Sequence, residues 1–351
     1  MSRLRLGITM GDPAGIGPEI ILKSLEQLKD ASDLDLAVVG TASCMEGAAR
    51  ALGLPAEITT ESAPARWPRV RVIEAAKAEK PIEVGKIQPE SGRLAYAAIA
   101  RSVELAMAGE IDAVVTGPIS KEALHLAGYS YPGHTEILAE LTGAGKSVML
   151  LVHDKLRVAH VSTHVALSEV PRRVTAERLR YVIGLTRQAL LDLGFEKPRI
   201  GVCALNPHAG EGGMFGREDI DITAPLIDEL RAEGMEVFGP IPGDTVYVKA
   251  LAGQFDAVIA MYHDQGHIAV KTLGFVMDPE SGRMSAISGV NVTLGLPIIR
   301  TSVDHGTAFD IAGQGIANPE SLVEAIEVAA RLAPGHRRRM QETRENEEAA
   351  R

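Results

Sequence analysis

The sequence is short of cysteine, of net positive charge and of long apolar stretches, and each shortage excludes a class of protein. Its two cysteines, Cys44 and Cys203, lack CxxC spacing, so neither a disulfide framework nor a cysteine zinc site is indicated, and we expect two reduced, buried thiols. No stretch approaches the roughly 18 uninterrupted apolar residues of a membrane span. The opening residues, MSRLRLGITMGDP, lack the apolar region and cleavage site of a secretory signal. These features predict a soluble, cytoplasmic protein.

The acidic balance of the chain argues against binding to nucleic acid. The formal net charge is -10 and the pI is about 5.5, whereas affinity for a phosphate backbone needs a surplus of Lys and Arg. A small anionic substrate would therefore have to be held by a local cluster of basic groups. With 351 residues, 46% of them hydrophobic, the chain exceeds the usual size of one domain, so we expect two domains or one two-lobed unit.

Short apolar runs rich in Val and Ile alternate with segments of helical spacing, which predicts an α/β protein with a largely parallel sheet. The segment 58–89, which carries four prolines, is expected to be a surface connection. The runs expected to be strands are LRLGITM, LDLAVVG, DAVVTG, SVMLLV, RVAHVS, RIGVCAL, DAVIAMY and LPIIRTS. The segments expected to be helices are GPEIILKSLEQL, SGRLAYAAIARSVELAMAG, TAERLRYVIGLTRQALLDLG and APLIDELRAEG.

Three histidines share a position after a strand-like run. His164 follows RVAHVS, His208 follows RIGVCAL and His263 follows DAVIAMY, so all three imidazoles can meet at one edge of a sheet. Three neutral imidazoles suit a divalent transition metal that keeps positions open for substrate oxygens. Asp264, next to His263, can orient a ring nitrogen. Structural or solvated histidines, and an aspartate that only forms a turn, are the alternatives.

Cations and polar groups near other strand ends suit an anionic ligand. Lys121 ends the turn TGPISK, while His134 and Thr135 lie in YPGHTE. A further set, which supplies two cations and an amide, consists of Lys271, Asn291 and Arg300. A guanidinium fork with a lysine point charge is what a phosphate or carboxylate needs. Solvated surface groups are the alternative for each of them.

Two glycine-rich stretches are candidates for a cofactor site. GDPAGIGPE, from Gly11 to Glu19, follows a strand-like run and opens a helix, but it is not the GxGxxG of a dinucleotide fold. It either cradles a phosphate at a helix N-terminus or forms a plain strand-to-helix turn. The small residues of SVDHGTAFDIAGQGIA permit close approach of a flat ligand such as adenine, with a structural loop as the alternative.

Taken in order, these motifs resemble the 4-hydroxythreonine-4-phosphate dehydrogenase family, including its branch that oxidises 4-phospho-D-threonate or 4-phospho-D-erythronate. The stretches that carry the resemblance are GDPAGIGPE, TGPISK, GHTE, HVALSEVP, NPHAGEGGMFGREDID, YHDQGH and GVNVTLGLPIIRTSVDHGTAFDIAG. The resemblance implies a two-lobed fold like that of isocitrate and isopropylmalate dehydrogenases, with mostly parallel mixed sheets and a central cleft. It also implies a homodimer in which both subunits complete each site.

By the same resemblance, each candidate residue receives a role. Metal ligands are expected at His164, His208 and His263, for Zn, Mg, Mn or Co. Substrate contacts are expected at His134, Thr135, Lys271, Asn291 and Arg300. NAD, or NADP in its place, is expected to contact Asp12, Gly15, His305, Gly306, Thr307, Asp310 and Gly313. Proton transfer and ligand orientation are assigned to Lys121, Asp244 and Asp264. The cofactor-side lobe would comprise residues 1–128 and 305–351, and the metal, substrate and dimerisation lobe residues 129–304.

The implied reaction is oxidation of a substrate 3-hydroxyl by NAD, followed by loss of carbon dioxide. The first expected substrate is 4-phosphohydroxy-L-threonine, which gives 3-amino-2-oxopropyl phosphate in vitamin B6 biosynthesis. The run HDQGHI and the long segment 272–290 favour the sugar-acid branch instead, and an aromatic cis-dihydrodiol carboxylate is a third substrate class. A metal-dependent hydrolase would not need the HGTAFDIAG loop, and a non-catalytic ligand sensor would have lost the histidine and cation sets that this chain retains.

Overall fold

The computed structural model describes residues 3–277, 279 and 284–349, and for residues 284–287, 344 and 347–349 it describes the backbone alone. The chain divides into two compact units. The first unit comprises Met1–Ser147, Ala286–Val290 and Leu296–Arg351, and the second comprises Val148–Ser285 and Asn291–Gly295.

The strands and helices alternate along the chain. The strands are β1 (Leu4–Thr9), β2 (Leu34–Gly40), β3 (Glu57–Thr59), β4 (Arg69–Glu74), β5 (Ala113–Thr116), β6 (Val148–His153), β7 (Leu156–His160), β8 (Ile200–Cys203), β9 (Val237–Ile241), β10 (Ala257–Ala260), β11 (Phe275–Met277), β12 (Met284–Ile287), β13 (Val290–Leu294) and β14 (Arg300–Val303). The helices are α1 (Gly17–Gln27), α2 (Ala42–Leu52), α3 (Pro89–Met107), α4 (Lys121–Leu126), α5 (His134–Thr142), α6 (Val170–Arg173), α7 (Ala176–Asp192), α8 (Ala224–Ala232), α9 (Gly243–Leu251), α10 (His263–Gly274) and α11 (Glu320–Ala349).

The strands of the first unit lie in the order β3-β4-β2-β1-β5-β14, and every neighbouring pair in this order is parallel. Parallel strands covered by helices read as continuous apolar runs, which is why LGIT and AVVT are buried throughout. The core of this unit packs Ile99 and Val103 of α3 against Val114 of β5 and Ile137 of α5.

The strands of the second unit lie in the order β13-β6-β7-β10-β8-β9. The neighbours from β7 to β9 are parallel, whereas β6 is antiparallel to β7. Leu151, Val158 and Val258 form the core with Val246 of α9 and Val270 of α10. The predicted α/β class with mostly parallel sheets is therefore confirmed.

All eight predicted strands and all four predicted helices are present. The interpretation of residues 58–89 as a plain surface connection was wrong in part, because β3 and β4 extend the first sheet there. Both cysteines are free, as expected, and Cys203 is buried, but Cys44 on α2 is only half-buried. Within the described residues, no helix is long and apolar enough to cross a membrane.

The division into units differs from the predicted lobes at two places. The first unit extends to residue 147 rather than 128, because Ile137 and Leu138 of α5 are buried against α3. The segment from Leu296 belongs to the first unit, because β14 pairs with β5 in the register Arg300 opposite Val114. The expected substrate contacts are thus divided between the units. The roles expected for the lobes stay predictions.

Candidate active site

The turn between β1 and α1 is built around the buried carboxyl group of Asp12. One Asp12 oxygen accepts from the amide of Ala14 (2.9 Å) and the other from the hydroxyl of Ser91 (3.2 Å). Burial raises the pKa of Asp12 to about 6, against the lowering effect of these two hydrogen bonds. Asp12 is thus the structural centre of the turn, with a carboxyl group that gains a proton as the pH falls through about 6.

Glycines let three loops of the first unit approach closely. Gly11 has a φ of 71°, and a β-carbon there would lie 2.4 Å from the carbonyl oxygen of Pro118. A β-carbon on Gly15 would lie 2.7 Å from the carbonyl oxygen of Thr307. The amide of Ile16 donates to that same Thr307 oxygen (3.0 Å). The sequence motifs GDPAGIG, TGP and HGTA therefore lie against one another, as a shared ligand site requires.

Glu19 and Lys23 of α1 hold the end of the 305–317 loop. Glu19 accepts from the amides of Gly315 (3.3 Å) and Ala317 (2.8 Å). The ammonium group of Lys23 donates to Glu19 and to both of those residues' carbonyl oxygens, each at 2.8 Å. The loop is thereby fixed at its far end by a partly buried ion pair.

A cavity of about 260 Å³ lies beside two of the glycines expected to contact the cofactor, Gly15 and Gly313. Its other walls come from Pro18 of α1, Ala48 of α2, and Lys80 and Val84 of the connection before α3. The lining has small side chains and one nearby cation. The cavity can therefore admit a flat, mainly apolar group such as one ring system of a nucleotide.

The remaining residues expected to contact the cofactor lie along the same loop. His305 is half-buried, its Nδ1 donates to the carbonyl oxygen of Gly306 (3.0 Å), and burial lowers its pKa. The side chain of Asp310 is exposed. The loop therefore presents one neutral imidazole and one exposed carboxylate on either side of the close-packed Thr307 in the chain.

Arg300 is a buried cation at the start of β14. Its Nε and Nη2 both donate to the hydroxyl of Thr116 at the end of β5, at 3.1 and 2.7 Å. Burial lowers the pKa of the guanidinium to about 9. A guanidinium carries five N–H donors in a planar fork, a geometry that matches a phosphate or carboxylate, so this position can bind an anionic ligand.

His134 at the start of α5 feels the charge of Arg300. Burial, and then repulsion from Arg300, hold the pKa of His134 well below its usual range, so the imidazole is neutral. Its Nε2 is buried without a hydrogen-bond partner among the described residues. Thr135 is half-buried beside it, whereas Lys121 at the start of α4 is exposed. The first unit therefore brings Arg300 and His134 together, and an orphaned ring nitrogen is available to a ligand.

The three candidate metal ligands follow neighbouring strands of the second unit. His164 follows β7, His263 follows β10 and His208 follows β8, and β10 is parallel to both β7 and β8. Because parallel strands end at the same edge, the ends of these three strands lie at one sheet edge. The convergence of the three imidazoles on one metal ion stays a prediction. The rings of His164 and His263 have centroids 5.6 Å apart.

The ring of His263 is oriented by its neighbour in the chain. Its Nδ1 lies 2.6 Å from Oδ1 of Asp264, the contact expected for a carboxylate that orients a ligand. Nε2 is then the nitrogen left for a cation. Within the described residues of this single chain, no three His, Cys, Asp or Glu side chains are arranged to hold a metal ion. The imidazole donors suit such an ion, but these three histidines do not form a complete ligand set within that part of the chain.

His208 lies in a backbone segment of unusual conformation. Residues 208–212 all have positive φ, including the non-glycine residues His208 (52°), Ala209 (55°) and Glu211 (42°). Left-handed backbone at L-residues is strained and is retained where the surrounding structure fixes it. The ring of His208 lies 6.4 Å from that of Phe215, centroid to centroid.

The buried carboxylate of Asp219 fixes the strand-end segment that precedes His208. It accepts from the amides of Leu205 (2.8 Å) and Asn206 (2.9 Å) and from the side-chain amide of Asn206 (3.2 Å). Asp219 has no solvent exposure. Its three hydrogen bonds thus position the start of the His208 loop.

The other candidates of the second unit are half-buried or exposed. Lys271, in the last turn of α10, places its ammonium group 4.9 Å from the centre of the Phe275 ring. Asn291 on β13 is half-buried, and Asp244 in the first turn of α9 is exposed. The segment 272–290 ends α10 and forms the paired strands β11 and β12, but residues 278 and 280–283 lie outside the described residues.

Comparison with known proteins settles the family. The model for the pyridoxal phosphate biosynthetic protein PdxA matches residues 33–329. The chain belongs to the PdxA family. A provisionally named D-threonate 4-phosphate dehydrogenase of Bradyrhizobium diazoefficiens is 58% identical, with 95% of this chain and 98% of that protein covered. A 4-hydroxythreonine-4-phosphate dehydrogenase of Beijerinckia indica is 45% identical, with 93% and 94% covered.

Solved PdxA-type structures agree with the fold. The crystal structure of a 4-hydroxythreonine-4-phosphate dehydrogenase from Klebsiella pneumoniae matches with a TM-score of 0.82 and 42% identity, over 95% of this chain and 98% of that one. This PdxA-family chain is accordingly an oxidoreductase of the dehydrogenase type that acts on a hydroxyl group.

Sequence reasoning missed several polar residues that contact or adjoin the candidate site residues. They are Thr116, which binds Arg300, Ser91, which binds Asp12, Asp219, and the buried histidines His160 and His267 next to His263. His267 had a signal: it lies four residues after His263 on a helix, and such residues share a face. Contacts such as that of Ser91 with Asp12 join distant parts of the chain, and no pattern in the sequence indicates them.

Proposed function

We propose that this protein oxidises the 3-hydroxyl of a small 4-phosphorylated hydroxy acid with NAD and a divalent metal ion. The observation that carries the proposal is the buried Arg300 beside the neutral, orphaned Nε2 of His134. A phosphate dianion would accept charge-assisted hydrogen bonds from the guanidinium and a hydrogen bond from the imidazole. Thr135, Lys271 and Asn291 are the further substrate contacts that we propose.

The cofactor proposal draws on the first unit alone. The close-packed loops around Gly15 and Thr307 and the adjoining cavity support a binding place for NAD, with contacts from Asp12, His305, Gly306, Asp310 and Gly313. NAD, when bound, supplies the hydride acceptor, while the protein orients the two reactants. Lys80 is a single cation beside this cavity, so we propose NAD rather than NADP.

His164, His208 and His263 would hold the metal ion, which supplies positive charge next to the reacting oxygens. Asp264 keeps Nδ1 of His263 occupied, so Nε2 is the nitrogen that would bind the ion. Lys121 and Asp244 are exposed and are our proposed proton carriers. The oxidation transfers a hydride to NAD and releases the hydroxyl proton, and the resulting β-keto acid then loses carbon dioxide.

We propose a homodimer in which both subunits complete each site. A single chain does not assemble three metal-binding side chains among its described residues, and a partner can complete the set. The second unit also exposes large apolar side chains near its strand-end loops, which suit burial against a second copy: Val165, Leu167, Met214, Phe215 and Ile268. Sedimentation velocity should give twice the chain mass of 37.3 kDa, and a monomer would contradict this part of the proposal.

Two substrates fit the proposed site, and they differ in the group on carbon 2. The family description supports 4-phosphohydroxy-L-threonine, the substrate of vitamin B6 biosynthesis. The higher identity to a protein named for D-threonate 4-phosphate, 58% against 45%, favours 4-phospho-D-threonate as the first substrate to test. An aromatic cis-dihydrodiol carboxylate is the weaker candidate, because it has no phosphate for Arg300.

The test is an assay of NAD reduction at 340 nm with each substrate and with Zn, Mg, Mn or Co. We expect turnover with at least one phosphorylated substrate and loss of turnover after treatment with a chelator. Arg300→Lys keeps the charge but loses the guanidinium fork, so it should raise KM at least tenfold. Absence of NAD reduction with all the phosphorylated substrates and all four metals would reject the proposal.

A further inference from the structure

A second aromatic layer lies directly behind the proposed metal ligand His263. The ring of His267 stacks on the ring of His263, with centroids 3.6 Å apart and planes inclined by 12°. Nδ1 of His267 also donates to the carbonyl oxygen of His263 (2.9 Å). One side chain thus contacts both the ring and the backbone of His263.

The stack is backed by a third imidazole, His160 at the end of β7. Its ring centroid lies 4.8 Å from that of His267, and the side chain has no solvent exposure. His160 Nε2 has no hydrogen-bond partner among the described residues. A β-carbon on Gly266 would lie only 2.3 Å from that nitrogen, so the first turn of α10 rests on the His160 ring.

Packing of a hydrophobic core does not by itself explain why histidines occupy positions 160 and 267. A buried polar atom without a partner costs on the order of 1–3 kcal/mol, and leucine at position 160 would avoid that cost. The imidazoles are instead arranged in a row that ends on His263. Stacked rings have a preferred relative orientation of their planes, and an aliphatic side chain has no plane to impose one.

We propose that His267, supported by His160, is a positioning residue that sets the plane of the His263 ring for cation binding. Asp264 fixes the ring within its plane through Nδ1, and His267 covers one face, so the two restraints together aim Nε2. This inference rests on the proposed function, since it takes His263 to be a metal ligand.

The experiment is a titration of the purified full-length protein with Co²⁺, followed by visible absorption and by calorimetry. His267→Leu should weaken Co²⁺ binding about 10- to 100-fold and change the absorption band, as loss of a ligand-orienting partner does. His267→Phe retains a ring on His263 and should restore most of the affinity. His125→Leu, at an exposed histidine of α4, should behave as the wild type.

The outcomes separate this inference from the proposed function. Wild-type affinity and spectrum in His267→Leu, or an equal loss in His267→Phe, would overturn the positioning role. If His267→Leu does not fold, His267→Gln, which also lacks a stacking ring, takes its place against His267→Phe. If wild type binds no Co²⁺, or if His263→Ala binds it equally well, the proposed metal site itself fails.

Discussion

Thr116 accepts two hydrogen bonds from the buried guanidinium of Arg300, at 3.1 and 2.7 Å. The Thr116 hydroxyl at the end of β5 thus binds the Arg300 side chain of the neighbouring strand β14. Both residues belong to the first unit. Hydrogen bonds to a charged group are stronger than neutral ones, and a buried charge that loses them stays desolvated.

Thr116→Val should therefore lower the free energy of unfolding by about 2–3 kcal/mol and raise KM for the phosphorylated substrate. Thr116→Ser retains the hydroxyl, so both the loss of stability and the increase in KM should be much smaller. Urea unfolding and steady-state kinetics measure the two effects. A valine variant with unchanged KM would show that Thr116 does not position Arg300 for substrate.

Asp12 should make the stability of the protein depend on pH between about 4 and 7. Because burial raises its pKa from 3.8 to about 6, the fold favours the protonated carboxyl group. The stabilisation is therefore complete below pH 3.8 and is lost as the pH rises through about 6, by about 3 kcal/mol at most.

Asp12→Asn removes this titration. The variant should gain stability relative to wild type as the pH rises from 4 to 7.5, measured from the urea midpoints at each pH. Asp33→Asn, at an exposed position, is the control and should show no such trend. A constant difference between Asp12→Asn and wild type across that range would contradict the raised pKa.

The regular strands and helices of the fold could be predicted from the sequence alone. Buried parallel strands such as β1 and β5 are uniform apolar runs, and the pattern identifies them directly. The missed strands β3 and β4 carry charged residues on partly exposed positions, as in RVRVIE, and lie among prolines. The alternation of buried and exposed residues in β4 is short, and this segment is recognisable as a strand only from its pairing with β2.

The candidate site was predictable where residues share a topological position. The strand-end positions of His164, His208 and His263 predicted their common sheet edge, because strand ends coincide in parallel sheets. The partners of these groups were not predictable. Thr116 meets Arg300 only because β5 and β14 become neighbours, although the residues are far apart in sequence.

Gly266 should tolerate no side chain, because α10 rests on His160. A β-carbon there would lie 2.3 Å from His160 Nε2 and 2.8 Å from a methyl group of Val158. Gly266→Ala should lower the free energy of unfolding by about 1–3 kcal/mol despite the better helix propensity of alanine. Gly184→Ala, in α7 with open space around it, should instead stabilise by about 0.5–1 kcal/mol. Equal behaviour of the two variants in urea unfolding would argue against close packing at His160.

Asp219 should control the His208 loop from a distance. Its buried carboxylate accepts three hydrogen bonds from Leu205 and Asn206, and the left-handed segment begins two residues later. Asp219→Asn replaces one acceptor oxygen by a donor that faces backbone amides, so we expect a loss of about 2–4 kcal/mol of stability. Because strained backbone persists only where it is held, the same variant should also bind Co²⁺ more weakly.

Asp221→Asn is the matched control for this substitution. Asp221 is half exposed and pairs with Arg217 one helical turn away, an interaction that solvent screens strongly. It should leave stability and Co²⁺ affinity close to wild type, as measured by urea unfolding and calorimetry. Wild-type Co²⁺ affinity in a folded Asp219→Asn variant would mean that His208 does not need a fixed loop, and would remove the reason for its strained conformation.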